Sequence, residues 1–142
     1  MRLRILMCAL AVVALGACSD DDEKSTTSTA PTSSAASTSI KATASDFKFE
    51  PNSWTVPKGE EFSIAFKNGG VVAHEWAVIK LGADLASEKD FTEDKVLFEV
   101  EAVDAGKSAT QKFTVEEAGD YQVICAIETH FDAGMEGTLT VE

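Results

Sequence analysis

The chain is 142 residues long and 44% hydrophobic, with 24 acidic against 12 basic residues and a formal charge of −12. That length holds one domain with appendages. The acidic balance excludes a nucleic-acid binder, which needs a basic face, and excludes direct electrostatic docking on anionic lipid.

Arg2 and Arg4 precede an apolar run from Ile5 to Leu15, followed by Gly16, Ala17 and Cys18. A basic start, a short apolar stretch and small residues at the cut site form a secretory signal, and the run is too short to span a bilayer. Leu15-Gly16-Ala17-Cys18 resembles a bacterial lipobox, which implies cleavage before Cys18 and a diacylglyceryl group on its sulfur. The expected parts are a lipoprotein signal over 1–17, a lipidated Cys18 with a flexible linker over 18–39, and a folded domain over 40–142. Loss of 1–17 removes Arg2 and Arg4, which leaves ten basic against 24 acidic residues and a formal charge of −14. It also removes Met1, Met7 and Cys8. With Cys18 lipidated, the mature chain keeps one free thiol (Cys125), two imidazoles (His74 and His130) and one thioether (Met135). A lone thiol in an exported protein has no disulfide partner and stands out as a ligand or a reactive group.

Between Ser19 and Ser39, twelve of 21 residues are Ser or Thr, and Asp20 to Glu23 form an acidic knot. Such a segment cannot bury enough surface to fold. As a flexible coil it spans roughly 25 Å, enough to give a tethered domain reach. From Ile40 the texture changes to short alternating runs split by turn residues. Ile40 to Ala44 reads as a first strand continued by Phe47, Phe49 and Pro51, and Trp54 to Val56 as a second stopped by Pro57-Lys58-Gly59. Glu61 to Asn68 alternates Phe62, Ile64 and Phe66 with smaller or polar residues, the mark of a half-buried strand, and Asn68-Gly69-Gly70 is a turn signal. His74 to Leu81 follows. Asp84 to Lys95 admits a short helix with Asp84 as N-cap. Val96 to Val103, Ser108 to Val115, Tyr121 to Cys125 and Met135 to Val141 complete the set. Seven or eight short strands at regular spacing predict an all-β sandwich, with Phe62, Phe66, Trp76 and Phe113 as core.

The chemistry concentrates in Tyr121 to Met135, where Cys125, His130 and Met135 are spaced Cys-x4-His-x4-Met. Taken singly, each has a plain structural reading: a satisfied histidine, a small buried thiol, a core methionine. Together with His74, they form a His2Cys set with a weak axial Met, the ligand set of a blue-copper site. Zinc fits less well because Met is a poor zinc ligand. One Cu(I)/Cu(II) ion is therefore the expected cofactor. Cys125 at a strand end is anchored by a sheet, and Gly134 and Gly137 would let the return loop turn tightly.

Tyr121-x3-Cys125-x4-His130-x4-Met135, with His74 in Gly69-Gly70-Val71-Val72-Ala73-His74, resembles the cupredoxin family in its plastocyanin, azurin and auracyanin branch, over about Ile40 to Glu142. The resemblance implies a Greek-key sandwich and single-electron transfer. It also implies His74, Cys125 and His130 as equatorial ligands, Met135 as the axial one, and a tyrosine corner at Tyr121. Two positions depart from the family pattern. Glu75 stands where plastocyanins carry an Asn that pins the ligand loop, and Glu128-Thr129 stand where related loops read Pro-Gly before the second His.

The expected function is a blue copper protein, not an enzyme, carrying single electrons while lipid-anchored to the outer face of the cell membrane. Its expected partner is a basic redox protein such as a cytochrome or a membrane oxidase. Copper storage or delivery in the cell envelope is the alternative, since the ligands alone do not separate the two. A Cys-His thiol hydrolase would need an accessible, base-activated Cys125 and a substrate pocket, and the sequence suggests no such pocket.

Overall fold

A computed structural model describes residues 35–142; the expected signal, Cys18 and the linker up to residue 34 lie outside the described residues. The described residues form nine strands: β1 (Ser39–Ser45), β2 (Lys48–Glu50), β3 (Ser53–Val56), β4 (Glu61–Asn68), β5 (His74–Ile79), β6 (Val96–Val103), β7 (Ser108–Thr114), β8 (Gly119–Ile124) and β9 (Glu136–Val141). They pair as a four-stranded sheet in the order β2-β1-β4-β7 and a five-stranded sheet in the order β3-β9-β8-β5-β6. This is the expected all-β sandwich. Both sheets carry one parallel pair, β1 with β4 and β3 with β9, so the chain crosses between layers early and again at its end.

Period-two alternation builds the interior. Phe62, Ile64 and Phe66 of β4 point inward and are fully buried, while Glu61 and Lys67 face water. Trp76 and Val78 of β5 meet them from the other sheet. Trp54 and Trp76 pack edge to face at 5.5 Å, and the Trp54 indole donates to the Lys41 carbonyl at 2.8 Å, which ties β3 to the opposite layer. Phe98 and Phe113 stack at 4.2 Å and close the β6–β7 side. Each fully buried large side chain contributes about 1.5–3 kcal/mol, so this core supplies the rigidity the site needs. Tyr121 is the expected tyrosine corner: its hydroxyl donates to the Glu117 carbonyl at 2.7 Å.

Three local expectations give way. Phe47 and Phe49 do not continue the first strand, because the chain reverses at Asp46-Phe47 and β2 returns antiparallel to β1 with Ser45 opposite Lys48. Phe47 takes φ 65 to make that reversal, a conformation bulky residues rarely adopt, and no Gly or Asn announces it. The segment after β5 forms two single 3-10 turns, Glu88–Asp90 and Glu93–Lys95, in place of a helix. Ser87, not Asp84, caps the first, and the Asp90 carboxylate accepts from the Ala86 and Ser87 N–H groups. Phe91-Thr92 is extended between the turns, so no continuous apolar face forms. Gly137 lies within β9 and makes no turn. A Cβ there would sit 2.6 Å from the Asn52 carbonyl oxygen, so its smallness admits the neighbouring backbone. The post-β5 segment nonetheless has structural work. Leu85 and Phe91 cover Ala77, Ile79, Ile124 and Phe131 on the outer face of the five-stranded sheet, so β5 is buried on both faces.

Candidate metal centre

One end of the sandwich gathers the reactive side chains. β5 opens with His74, while β8 ends at Ile124 and delivers Cys125. The β5–β8 ladder runs out at Ala77–Ile124. Beyond it the Glu75 N–H donates to Cys125 Sγ at 3.3 Å in place of a ladder carbonyl. Cys125 Sγ lies 3.3 Å from His130 Nδ1 and 4.0 Å from His74 Nδ1. The three candidate ligand atoms all fall within 4.8 Å of one another, and all three residues are buried. Met135 is likewise fully buried and belongs to the same apolar cluster as Cys125. All four sequence-predicted residues therefore converge on one end of the fold. Cys18 lies outside the described residues.

The loop that carries His130 is closed at its neck. The Cys125 N–H donates to the Met135 carbonyl at 3.1 Å, and the Met135 N–H donates to the His130 carbonyl at 3.0 Å. Gly134, at φ 95, supplies the left-handed turn before Met135. Thr129 takes φ 72, a costly conformation for a β-branched residue. Its N–H is held by the Glu88 carboxylate at 2.5 Å, and Asp132 in turn accepts from the Glu88 N–H at 2.7 Å. The 3-10 turn at Glu88 thus clamps the ligand loop on both sides of His130. Gln122 fastens the same segment by accepting from the Leu85 N–H at 2.8 Å and donating to the Leu85 carbonyl at 3.1 Å.

The upstream loop is held differently. Asn68 is fully buried, and its amide donates to the carbonyls of Val72 and Val103, both at 2.7 Å, while its side-chain oxygen accepts from the Gly70 N–H at 2.8 Å. This answers the departure at Glu75: the loop before His74 is pinned from Asn68, and residue 75 contributes its backbone N–H to the sulfur. In the sequence Asn68 reads only as a turn signal. The available clue was its register, one step past Phe62, Ile64 and Phe66, which places a polar side chain on a core position. Phe47 and Asp46 were missed with the hidden reversal. Phe47 stands edge-on to the His130 ring at 5.3 Å, and Asp46 Oδ1 lies 3.7 Å from His74 Nε2.

The electrostatics suit a soft metal. Burial, then the neighbouring His130, outweigh the opposing pull of Asp46 and hold the His74 imidazole below its ordinary value, which favours its neutral form. Burial pushes the Cys125 thiol up, partly offset by the Glu75 and Ile127 N–H groups. A thiolate here therefore needs a bound cation to balance it.

A family model of the cupredoxin-like domain matches residues 7–141. The chain belongs to the cupredoxin-like family, whose metal is copper, and its buried His74, Cys125 and His130 form a candidate copper site. It is similar to an auracyanin from Roseiflexus castenholzii, at 25% identity and TM-score 0.67, covering 75% of this chain and 98% of that one. It is also similar to auracyanin A from Chloroflexus aurantiacus, described as a blue copper protein, at 25% identity and TM-score 0.60, covering 73% of this chain and 98% of that one. Among curated proteins it is similar to the copper-resistant cuproprotein CopI of Rubrivivax gelatinosus, 28% identical over 114 residues, covering 75% of this chain and 67% of that protein.

On β6, opposite Ala77, Glu99 sits half-buried among carboxylates. Burial, then Glu93 and Glu101, raise its carboxyl above the ordinary value. Its ionised form is therefore penalised more in the folded chain than in the unfolded one. Glu99→Gln should raise the thermal midpoint at about pH 7, and the gain should vanish at about pH 3, where both states of the parent are protonated. Thermal melts at the two pH values check this. A gain that persists in acid would mean that packing, not charge, was at issue.

Proposed function

We propose that this protein is a type 1 blue copper protein carrying single electrons at the outer face of the cell membrane. In this reading His74, Cys125 and His130 would hold the copper, and Met135 would add a weaker thioether donor. The observation that carries it is the buried convergence of one thiol and two imidazole nitrogens within 4.8 Å. Copper bound by such a set supplies a one-electron couple. The chain's contribution is a fixed cavity. Cys125 is held by the sheet end, His130 by the closed neck and the Glu88 clamp, and His74 by β5 and the Asn68-pinned loop. Ligands that cannot rearrange keep the geometric change between oxidation states small. His130, 7% exposed, is the ligand nearest solvent, with the 47% exposed Phe47 ring against it. Electrons enter and leave on this side. Cys125 is fully buried, which argues against a hydrolytic nucleophile, since that needs an accessible group.

A second reading, copper storage or delivery, is favoured by the similarity to the copper-resistant CopI protein. One experiment separates the two. The purified domain should bind one Cu(II) and turn intensely blue, and Cys125→Ser should lose the colour. The loaded protein should then exchange electrons with a cationic cytochrome through repeated cycles without losing copper, more slowly as salt rises. A colourless Cu(II)-bound domain would sink the blue-copper assignment. Loss of copper to a chelating acceptor on each reduction would favour delivery. Rates indifferent to salt would count against a basic partner.

Met135 tests the axial role. Met135→Leu removes the donor at similar volume, so packing loss should stay below about 1.5 kcal/mol. Without axial donation Cu(II) loses more stabilisation than Cu(I), and the potential should rise. Met135→Gln offers a harder oxygen and should lower it. Both should stay blue. Voltammetry shifting both variants the same way, or copper loss from the Leu variant, would rule out a weak axial thioether.

Anchoring rests on Cys18 and its lipobox-like flank. Cys18→Ser should move the protein from membrane to soluble fractions and leave the blue spectrum unchanged, since the acidic linker has no membrane affinity of its own. Membrane retention of that variant would point to another anchor.

A further inference from the structure

The two nitrogens of His74 have different surroundings. Nδ1 faces Cys125 Sγ, and Nε2 points away from it toward the β1–β2 turn. An imidazole that ligates through Nδ1 carries its proton on Nε2, so Nε2 must be a donor. That nitrogen is fully buried and has no hydrogen-bond partner. Asp46 Oδ1 stands 3.7 Å from it, a few tenths of an ångström beyond a hydrogen bond. The same oxygen accepts from the Val71 N–H at 3.1 Å, which holds the carboxylate over the loop that leads into His74.

Gly70 keeps the way between them open. A Cβ at Gly70 would lie 2.5 Å from Asp46 Oδ1 and 2.8 Å from His74 Nε2. Gly70 is not among the residues of positive φ, so backbone conformation does not require glycine there. Space does. A buried unpartnered donor, a carboxylate tethered beside it and a residue without a side chain in the gap are three separate features meeting at one point.

We propose that Asp46 is a positioning residue of the metal site: its carboxylate accepts the Nε2–H of His74 across the space left by Gly70 and fixes that ligand's tautomer, orientation and basicity. Carboxylates paired in this way with a ligating imidazole orient it and strengthen it as a donor. A more basic His74 and a nearby negative charge both favour Cu(II) over Cu(I), so Asp46 lowers the reduction potential. This rests on the reading of His74 as a copper ligand through Nδ1.

Asp46→Ala removes the acceptor, whereas Asp46→Asn keeps an acceptor oxygen and removes its charge. Both copper-loaded variants should stay blue. The potential should rise in both, more in Ala than in Asn, and Cu(II) affinity should fall about ten- to a hundredfold in Ala. In the Cu(I) protein, the His74 Nε2–H should give a slowly exchanging proton resonance that broadens into solvent exchange in Asp46→Ala and survives in Asp46→Asn. Gly70→Ala should raise the potential as well, by forcing carboxylate and imidazole apart. An unchanged potential and an unchanged Nε2–H resonance in Asp46→Ala would overturn the proposal, as would a fall in potential in Asp46→Asn. If the Ala variant does not fold, the Asn potential and resonance decide alone. A wild-type protein that binds Cu(II) without colour would overturn the blue-copper reading itself, whereas a blue wild type with an indifferent Asp46 overturns only the role of Asp46.

Discussion

A thiol and two imidazoles lie together inside an apolar sandwich, and much of the structure exists to make that arrangement tolerable. Buried polar groups cost free energy unless each finds a partner. Cys125 receives the Glu75 N–H, Asn68 uses both ends of its amide on the loop before His74, and the loop around His130 closes on its own backbone. The aromatic core beneath keeps these partners in place. Trp76, two residues from His74 on the same strand, is fully buried and packed against both Trp54 and Phe98. A shift at the site would have to be passed into that packing, and close-packed interiors resist such shifts.

The parts of the fold legible in the sequence are those written in local periodicity. β4 can be read from Phe62, Ile64 and Phe66, and β8 and β9 from the runs Tyr121 to Cys125 and Met135 to Val141 that flank the ligand loop. The four ligand candidates stand out because loss of the expected signal, with Cys18 lipidated, leaves no spare thiol, imidazole or thioether. What escaped notice depends on contacts distant in sequence. Asp46 lies 28 residues from His74, and Glu88 is 41 residues from Thr129. Asp46-Phe47 reverses the chain without Gly or Asn, so in the sequence the hairpin reads as one long strand. The segment from Asp84 to Lys95 carries helix-forming residues but spends them on two short turns, because its task is to lie flat across Ala77 and Ile79 and to reach the ligand loop.

The same contacts explain how this chain departs from the pattern of the family it belongs to and still builds the site. A side-chain amide after the first histidine is one way to pin a ligand loop. Here the amide comes from the end of β4, and a carboxylate from the post-β5 segment does a comparable service for the second loop.

The neck at Cys125 and Met135 has a consequence for how such a protein can change over time. Their backbone bond sits at the mouth of the ligand loop, where β8 and β9 part, and the ladder below it runs in unbroken register from Gly119–Val141 to Ile124–Glu136. Residues can be gained or lost beyond that bond without sliding either strand, since strand register is set below it. The length of the loop and the register of the strands are therefore set by separate contacts. A change at the exposed tip would alter the surface around the second imidazole, whereas a change at Phe131, which packs with Ala77, Ile79 and Ile124, would disturb the sandwich itself.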